Sequence, residues 1–384
     1  MDAALQHITD QICAASAAHT PLRVRGQGSK DFYGETLQGQ VLDTTGWRGI
    51  VSYEPSELVV TVRAGTPVAE LEAALAEKGQ CLAFEPPRFR TDTGDALGGT
   101  CGGMVATGLS GPARASVGGV RDYVLGVQLI NGRADHLTFG GQVMKNVAGY
   151  DVSRLMVGAM GTLGVLTEIS LKVLPVAPAQ ATLVFELDQA RALAQLHKWG
   201  AQPLPLNASC WVRDDTAPNT PELLFVRLRG AVAAVEAATV KMTQELPGRV
   251  MDATQATPDW TACRDQRLPF FAPPAVQDDE PMLLWRLSVP QTTPVLNLPW
   301  PQLIEWHGGQ RWCWAPLSAK ALLRQTAASV GGSASIFIAT NETKSRATGR
   351  FEPLSPAQEA IHRRLKAEFD PGDLFNPGRM YATL

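Results

Sequence analysis

The stretch ALGGTCGGMVATGLSGPARASVGGVRD, from Ala96 to Asp122, holds eight glycines and three formal charges. Glycine loses more backbone freedom on folding than any other residue, so a cluster of it marks left-handed turns or a close approach of another group. A shorter cluster, Gly26-Gln27-Gly28-Ser29, follows LRVR, which reads as a strand. Neither cluster fits a common nucleotide motif. A Rossmann fingerprint needs a third glycine where Asp31 stands, and a P-loop needs a Gly-Lys step that the chain lacks. The underlying physics still holds: successive N–H groups in glycine turns form an anion nest that suits a pyrophosphate. Arg25 and Lys30 flank the first loop, Arg121 closes the second, and neither loop has an acidic residue inside it. Two such nests could clamp a dinucleotide. The alternative is that the glycines serve tight turns and close strand packing.

The chain has 384 residues, enough for two domains. Charged residues make up 18%, against roughly 25% in an average domain, which points to surface covered by a cofactor or partner subunits. A net charge of −3 gives no electrostatic reason to expect nucleic acid or an anionic membrane. The six cysteines are scattered with no C-x-x-C pair, so neither a zinc site, an iron–sulfur cluster nor any other metal is expected, and a reducing compartment fits. MDAALQHITDQ lacks the basic and apolar regions of a signal peptide, and no apolar run reaches the ~20 residues of a membrane span. These features lead to the expectation of a cytoplasmic protein whose membrane contact, if any, runs through partners.

Leu5, Ile8 and Ile12 are spaced for one face of a helix that Pro21 ends. GIVSYEP and LVVTVRAG read as strands around Glu54-Pro55. Thr66 is placed to cap a helix that starts at Pro67, buries Val68, Leu71 and Leu75, and ends at Gly79. YVLGVQLINGRADHLTFGG predicts a hairpin around Asn131-Gly132. Past Pro175 and Pro178 the order is β-α-β-β-α-β, a split βαβ unit. The Pro- and Trp-rich section from Trp260 to Trp314 gives no readable elements. A helix over Leu317 to Val330 and the strand SASIFIA follow. Ser355 and Gln358 form a capping box for a last helix.

From Leu22 to Pro175 the chain resembles the FAD-binding domain of the vanillyl-alcohol oxidase and p-cresol methylhydroxylase flavoprotein family. The motifs that carry this are RGQGS, SELVVTVRAGTPVAELEAAL, GGTCGGMVATGLSGP, VGGVRDYVLGVQLI and GGQVMKNVAGYDVSRLMVGAMGTLGVLTEISLKVLP, with the terminal FNPGRMY. The order KNVAGYD, RLMVG, GTLGVLTE is similar to the branch that oxidises glycolate, D-lactate and related 2-hydroxy acids. The resemblance implies an α+β fold: a two-subdomain PCMH-type FAD-binding domain over 1–175, an antiparallel α+β cap over 176–340, and a segment, 341–384, returning to the FAD domain. It implies FAD as cofactor. It gives Gly26, Gln27, Gly28, Ser29 and Lys30 to the first phosphate loop, and Gly99, Thr100, Gly102, Gly103, Thr107 and Gly108 to the pyrophosphate and flavin side. Arg121 joins them as a cofactor-binding residue. Gly161, Gly164, Val165 and Ile169 would reach the adenosine, and Asn376 and Arg379 would close near the flavin.

Oxidising a 2-hydroxy acid needs a cation for the carboxylate and a base for the hydroxyl proton. Catalytic relatives carry H-x-G-D-G-N-x-H between cap and last helix. Here that region reads SVGGSASIFIATNETKSRATGRF, without histidine or aspartate. His307, in EWHGGQRWCW, is the one candidate base, with Arg311 as carboxylate partner. The alternative is that His307 packs among aromatics and donates to a backbone carbonyl. The Trp cluster around it could stack on a flavin, form a subunit interface or fill a core. The resemblance therefore implies an FAD-binding subunit of a multi-subunit enzyme that oxidises glycolate to glyoxylate. Its partners would be a second FAD-containing subunit with the histidines and an iron–sulfur subunit. Two alternatives stand beside it: a non-catalytic assembly subunit, and a stand-alone dehydrogenase using His307.

Overall fold

The computed structural model describes residues 2–91, 94–141, 151–274, 280–339 and 349–383. All of KNVAGYD except Asp151, and residues 340–348 of the histidine-free segment, lie outside the described residues. The chain is α+β and divides into two compact units. The first comprises Met1–Leu109, Gly119–Val176 and Pro353–Leu384; the second comprises Ser110–Gly118 and Ala177–Glu352.

The first unit is built on a five-stranded antiparallel sheet in the order Ile50–Glu54, Val59–Arg63, Val165–Lys172, Val124–Ile130, His136–Gly140. Beside it, Leu22–Arg25 and Gln40–Asp43 pair in parallel. The helix Ala3–Ala18 buries Ile8 and Ile12, as read from the sequence, and Ala15 against Leu22, Leu42, Trp47 and Phe375, with Leu5 partly buried beside them. The helix Val68–Ala76 buries Val68, Leu71 and Leu75. Thr66 does not cap it; its hydroxyl donates to the Arg63 carbonyl at 2.7 Å and accepts from Gly49 N. The hairpin after Val124 closes through five residues, not two. Asn131 Oδ1 accepts from Arg133 N and Asp135 N, so an Asx turn replaces the tight Asn-Gly turn.

The C-terminal helix Pro356–Phe369 starts at the Ser355–Gln358 capping box. It ends in a buried ion cluster. Lys366 Nζ donates to Asp370 Oδ2 at 2.8 Å and to the carbonyls of Thr162 and Phe375 at 2.9 Å. This cluster fixes the FNPGR segment to the unit.

The second unit is one eight-stranded antiparallel sheet. Its order is Gly248–Met251, Ala179–Glu186, Glu222–Gly230, Leu206–Arg213, Gln302–Glu305, Gln310–Pro316, Met282–Ser288, Ser333–Ile338. The β-α-β-β-α-β order supplies the first four strands. The helices Gln189–Gly200 and Val232–Glu245 pack on one core with Phe185, Trp199 and Leu224. The section that resisted reading supplies three of the other four strands; the fourth, Ser333–Ile338, is the SASIFIA strand read from the sequence. That section folds as the helix Ala253–Arg264 and three strands, around a second core with Trp285, Cys313 and Ile336.

Candidate functional site

The first unit carries an open groove made of two adjoining hollows. One is lined by Gly26, Gly102, Gly103, Gly161, Gly164 and Asn376, with apolar Val24, Ala106 and Met160. The other is lined by Gln27, Gly28, Ser29, Lys30, Thr100, Thr107 and Arg379, and shares Val24, Gly26, Gly103, Ala106, Met160 and Asn376 with the first. Both glycine clusters therefore face one groove, together with the C-terminal FNPGR.

The local chemistry explains how. The strand Leu22–Arg25 delivers Gly26 to the groove, and Gly28 takes φ +74°, which glycine adopts without strain. Gln27 ties the two loops together: its Oε1 accepts from Gly99 N at 2.7 Å. Among the described residues, the N–H groups of Gln27, Gly28 and Ser29 donate to no protein acceptor. The second loop opens the helix Cys101–Thr107, where Thr100 Oγ1 accepts from Gly103 N. A Cβ added at Gly103 would have no close neighbour but Thr100 Oγ1 at 3.3 Å. The bare face of Gly103 thus looks into the groove, not into packing.

Asn376 is the cross-tie. With φ +45°, it accepts from Val24 N at 2.8 Å through Oδ1 and donates to the Met160 carbonyl at 2.6 Å through Nδ2. Gly161 sits against it; a Cβ there would lie 2.8 Å from Asn376 Nδ2. Arg379 pins the first loop from beneath by donating to the carbonyls of Lys30, Asp31 and Glu35. Among the described residues the one carboxylate lining the groove, Asp31, is paired with Arg25 Nε at 2.8 Å. An unspent set of backbone donors, a lysine and a neutralised carboxylate suit a pyrophosphate.

Five residues named from the resemblance do not line the groove; one, Gly99, lies beside it with its N–H bonded to Gln27. Val165 and Ile169 are fully buried in the strand Val165–Lys172, where they pair with Ile130 and Val127. A β-bulge between Leu166 and Glu168 breaks the strand's alternation, so the two side chains point to opposite faces and both are buried in packing rather than facing the groove. Gly108, at φ +62°, ends the helix Cys101–Thr107. Arg121 lines a different pocket. Apolar Val24, Ala64, Met156 and Leu166 complete the groove; no sequence signal separates them from ordinary core positions.

His307 and Arg311 belong to the second unit and have structural partners. Arg311 is fully buried, and its guanidinium donates to the carbonyls of Thr293 at 2.6 Å, Pro294 at 2.8 Å and Gly308 at 3.3 Å. Burial lowers its pKa to about 10, so it stays cationic at neutral pH, with each of its three nitrogens bonded to a backbone carbonyl. His307 lies in a left-handed turn with Trp306 and Gly308, at φ +52°, +54° and +99° in chain order. The turn is held against the segment Ser110–Gly118. Trp306 Nε1 donates to the Gly111 carbonyl at 3.0 Å, and the Arg114 guanidinium stacks 4.5 Å from the Trp306 ring. Backbone N of His307 donates to Ser209 Oγ, so the Ser209 hydroxyl is placed to donate to Nδ1 at 3.1 Å, and Nε2–H to Ser116 Oγ at 2.9 Å. In that network the lone pair a base needs is occupied. Burial pushes the imidazole down to about 4. The tryptophans Trp285, Trp306, Trp312 and Trp314 are buried, each with its Nε1 bonded.

The His307 environment fixes a pH effect and its sign. Unfolded, the imidazole titrates near 6.5; folded, near 4. Between these values unfolding takes up a proton, so stability falls as pH drops below 6.5 and levels off below 4. Above 6.5 both states are neutral and the effect vanishes. The total is about 3 kcal/mol. In His307→Gln this loss between pH 7 and about 4.5 should shrink by about 2 kcal/mol in urea melts. An unchanged loss would contradict a neutral, desolvated His307.

A model of the FAD binding domain matches residues 4–140. Glycolate oxidase subunit GlcE of Escherichia coli (strain K12) is 44% identical over 99% of this chain and 98% of its own length. The chain belongs to the GlcE family of glycolate oxidase subunits. Family members thus share the whole chain, both units included. Glycolate oxidase subunit GlcD of Bacillus subtilis (strain 168) is 32% identical, over 47% of this chain and 37% of its own length. Among solved structures, 4-ethylphenol oxidase from Gulosibacter chungangensis matches with a TM-score of 0.68 at 12% identity, over 99% of this chain and 88% of its own. An alkyldihydroxyacetonephosphate synthase matches with a TM-score of 0.66 at 15% identity, over 97% of this chain and 75% of its own. These two bear on fold alone. Among the described residues, no helix is long and apolar enough to cross a membrane, and no group of three His, Cys, Asp or Glu is placed to hold a metal ion.

Proposed function

We propose that the chain is the FAD-holding subunit of a multi-subunit glycolate oxidase and does not oxidise glycolate by itself. The observation that carries this is the groove: it is lined by Gln27, Gly28 and Ser29, whose N–H groups are unspent among the described residues, together with bare Gly103. Gly26 to Lys30 would hold the pyrophosphate; the second loop, whose N–H groups at Gly99 and Cys101 to Gly103 are bonded to protein, would line it and leave room at Gly103, with Gln27 keeping the two loops in register. Asn376 and Arg379 act one step back, by fixing the first loop. Gly161 and Gly164 leave room along the adjoining hollow. Bound FAD supplies the two-electron acceptor that taking a hydride from a 2-hydroxy acid requires.

This chain has no free base to give that reaction from His307, and Arg311 is fully buried with all three of its nitrogens bonded to backbone carbonyls. The proton would be taken by a partner that carries its own FAD and histidines, and an iron–sulfur subunit would carry electrons onward. The assembly would work in the cytoplasm, reaching a membrane only through partners. The closure around His307 also favours a second reading, an assembly subunit that keeps the fold without FAD.

Melting of the apoprotein separates the two. Free FAD at about 1,000 times Kd should add about 4 kcal/mol of stability. A midpoint that does not move with excess FAD would leave only the assembly reading.

A further inference from the structure

A separate pocket of about 270 Å³ opens in the first unit beside the helix Pro356–Phe369. Among the described residues every ionisable side chain lining it is basic: Arg121, Arg154, His362 and Lys366. Lys366 is already neutralised by Asp370 and Asp373. Arg154 reaches one carboxylate, the half-exposed Asp151, at 3.4 Å. Arg121 meets no carboxylate among the described residues. The imidazole of His362 is set edge-on to Tyr381, with ring centroids 5.8 Å apart. Leu155, Leu163, Leu365 and Met380 make the rest of the lining apolar.

Two guanidinium groups over an apolar floor, with no carboxylate in the lining among the described residues, are suited to an oxyanion attached to an apolar body. Arginine's fixed fork matches both carboxylate and phosphate. The volume lies near the lower end of small-molecule sites, which run from about 300 Å³. No residue of the phosphate loops at 26–30 or 99–103 lines this pocket; it shares only Ala159 and Leu163 with the groove. We propose that this pocket binds a small organic anion, a carboxylate or phosphate on an apolar body, at a site separate from the FAD groove.

The test uses the full chain loaded with FAD, so that the groove cannot take up the probe. Equilibrium dialysis with phenyl phosphate and with benzoate reads binding directly. The expected result is saturable binding of one equivalent of at least one probe; the better binder tells phosphate from carboxylate recognition. Arg121→Ala with Arg154→Ala should weaken it at least about tenfold, the loss of one charge-assisted contact of about 1.4 kcal/mol. Both arginines are exposed, so the double variant should keep the parent's melting midpoint and FAD content. Arg191→Ala with Arg249→Ala removes the same charge from the other unit and should leave binding unchanged. No saturable binding below about 10 mM, or equal weakening by the two pairs, would overturn the site. FAD retention with no probe binding would reject this pocket while leaving the flavin reading intact.

Discussion

Gly103→Val should empty the flavin groove while leaving the fold in place. Gly103 lines both hollows, and the direction its Cβ would take meets only Thr100 Oγ1, at 3.3 Å. Two added methyl groups there would occupy space that a dinucleotide needs. The neighbouring glycines are poorer probes. A Cβ at Gly102 would fall 3.0 Å from the Ala64 carbonyl, and one at Gly26 would collide with the Thr100 side chain. Substitution at either would disturb the loops themselves. Valine is a better helix residue than the glycine it replaces, so the apoprotein should melt within a few degrees of the parent. Flavin released per chain should fall from near one to below about a tenth, a loss of at least about 1.4 kcal/mol in binding at limiting FAD. Gly103→Ala, which adds only the tolerated Cβ, should keep most of it. Stoichiometric flavin in Gly103→Val would mean the cofactor runs elsewhere.

Lys366→Met should cost about 3–5 kcal/mol of stability, because it leaves the buried Asp370 carboxylate without its counter-charge. Asp370 also accepts from Leu374 N at 3.1 Å and Phe375 N at 2.8 Å, so the same carboxylate shapes the turn into FNPGR. Asn376 follows directly, and its bonds to Val24 and Met160 depend on that turn. The variant should therefore bind FAD more weakly as well as melt earlier. Adding Asp370→Asn should restore part of the loss, since the stranded charge goes with its partner. Urea melts of the two variants measure this. A cost under about 1 kcal/mol for Lys366→Met would show that solvent reaches the cluster.

The parts that were legible in the sequence are those set by local rules. Helix periodicity gave the buried face of Ala3–Ala18, and the Ser355 capping box gave the start of the last helix. The glycine clusters announced a groove because bare backbone has few other uses at that density. What stayed hidden depends on tertiary partners. Nothing local distinguishes Gln27 as the residue that joins the loops, or says that Thr66 would bond backwards to Arg63 and leave its helix uncapped. The Pro- and Trp-rich section hid three strands because the irregular run 289–301 separates pairs that only the finished sheet brings together. His307 and Arg311 looked chemically apt, yet burial with backbone and serine partners gives them architectural work.

The measurement that tests the account most directly is the visible spectrum of the FAD-loaded chain alone, taken anaerobically before and after glycolate. The account predicts a flavin that stays oxidised with glycolate and is bleached only once the partner subunits are added. Bleaching of the isolated chain by glycolate would contradict it, because a base other than the enclosed His307 would then have to be at work within this chain.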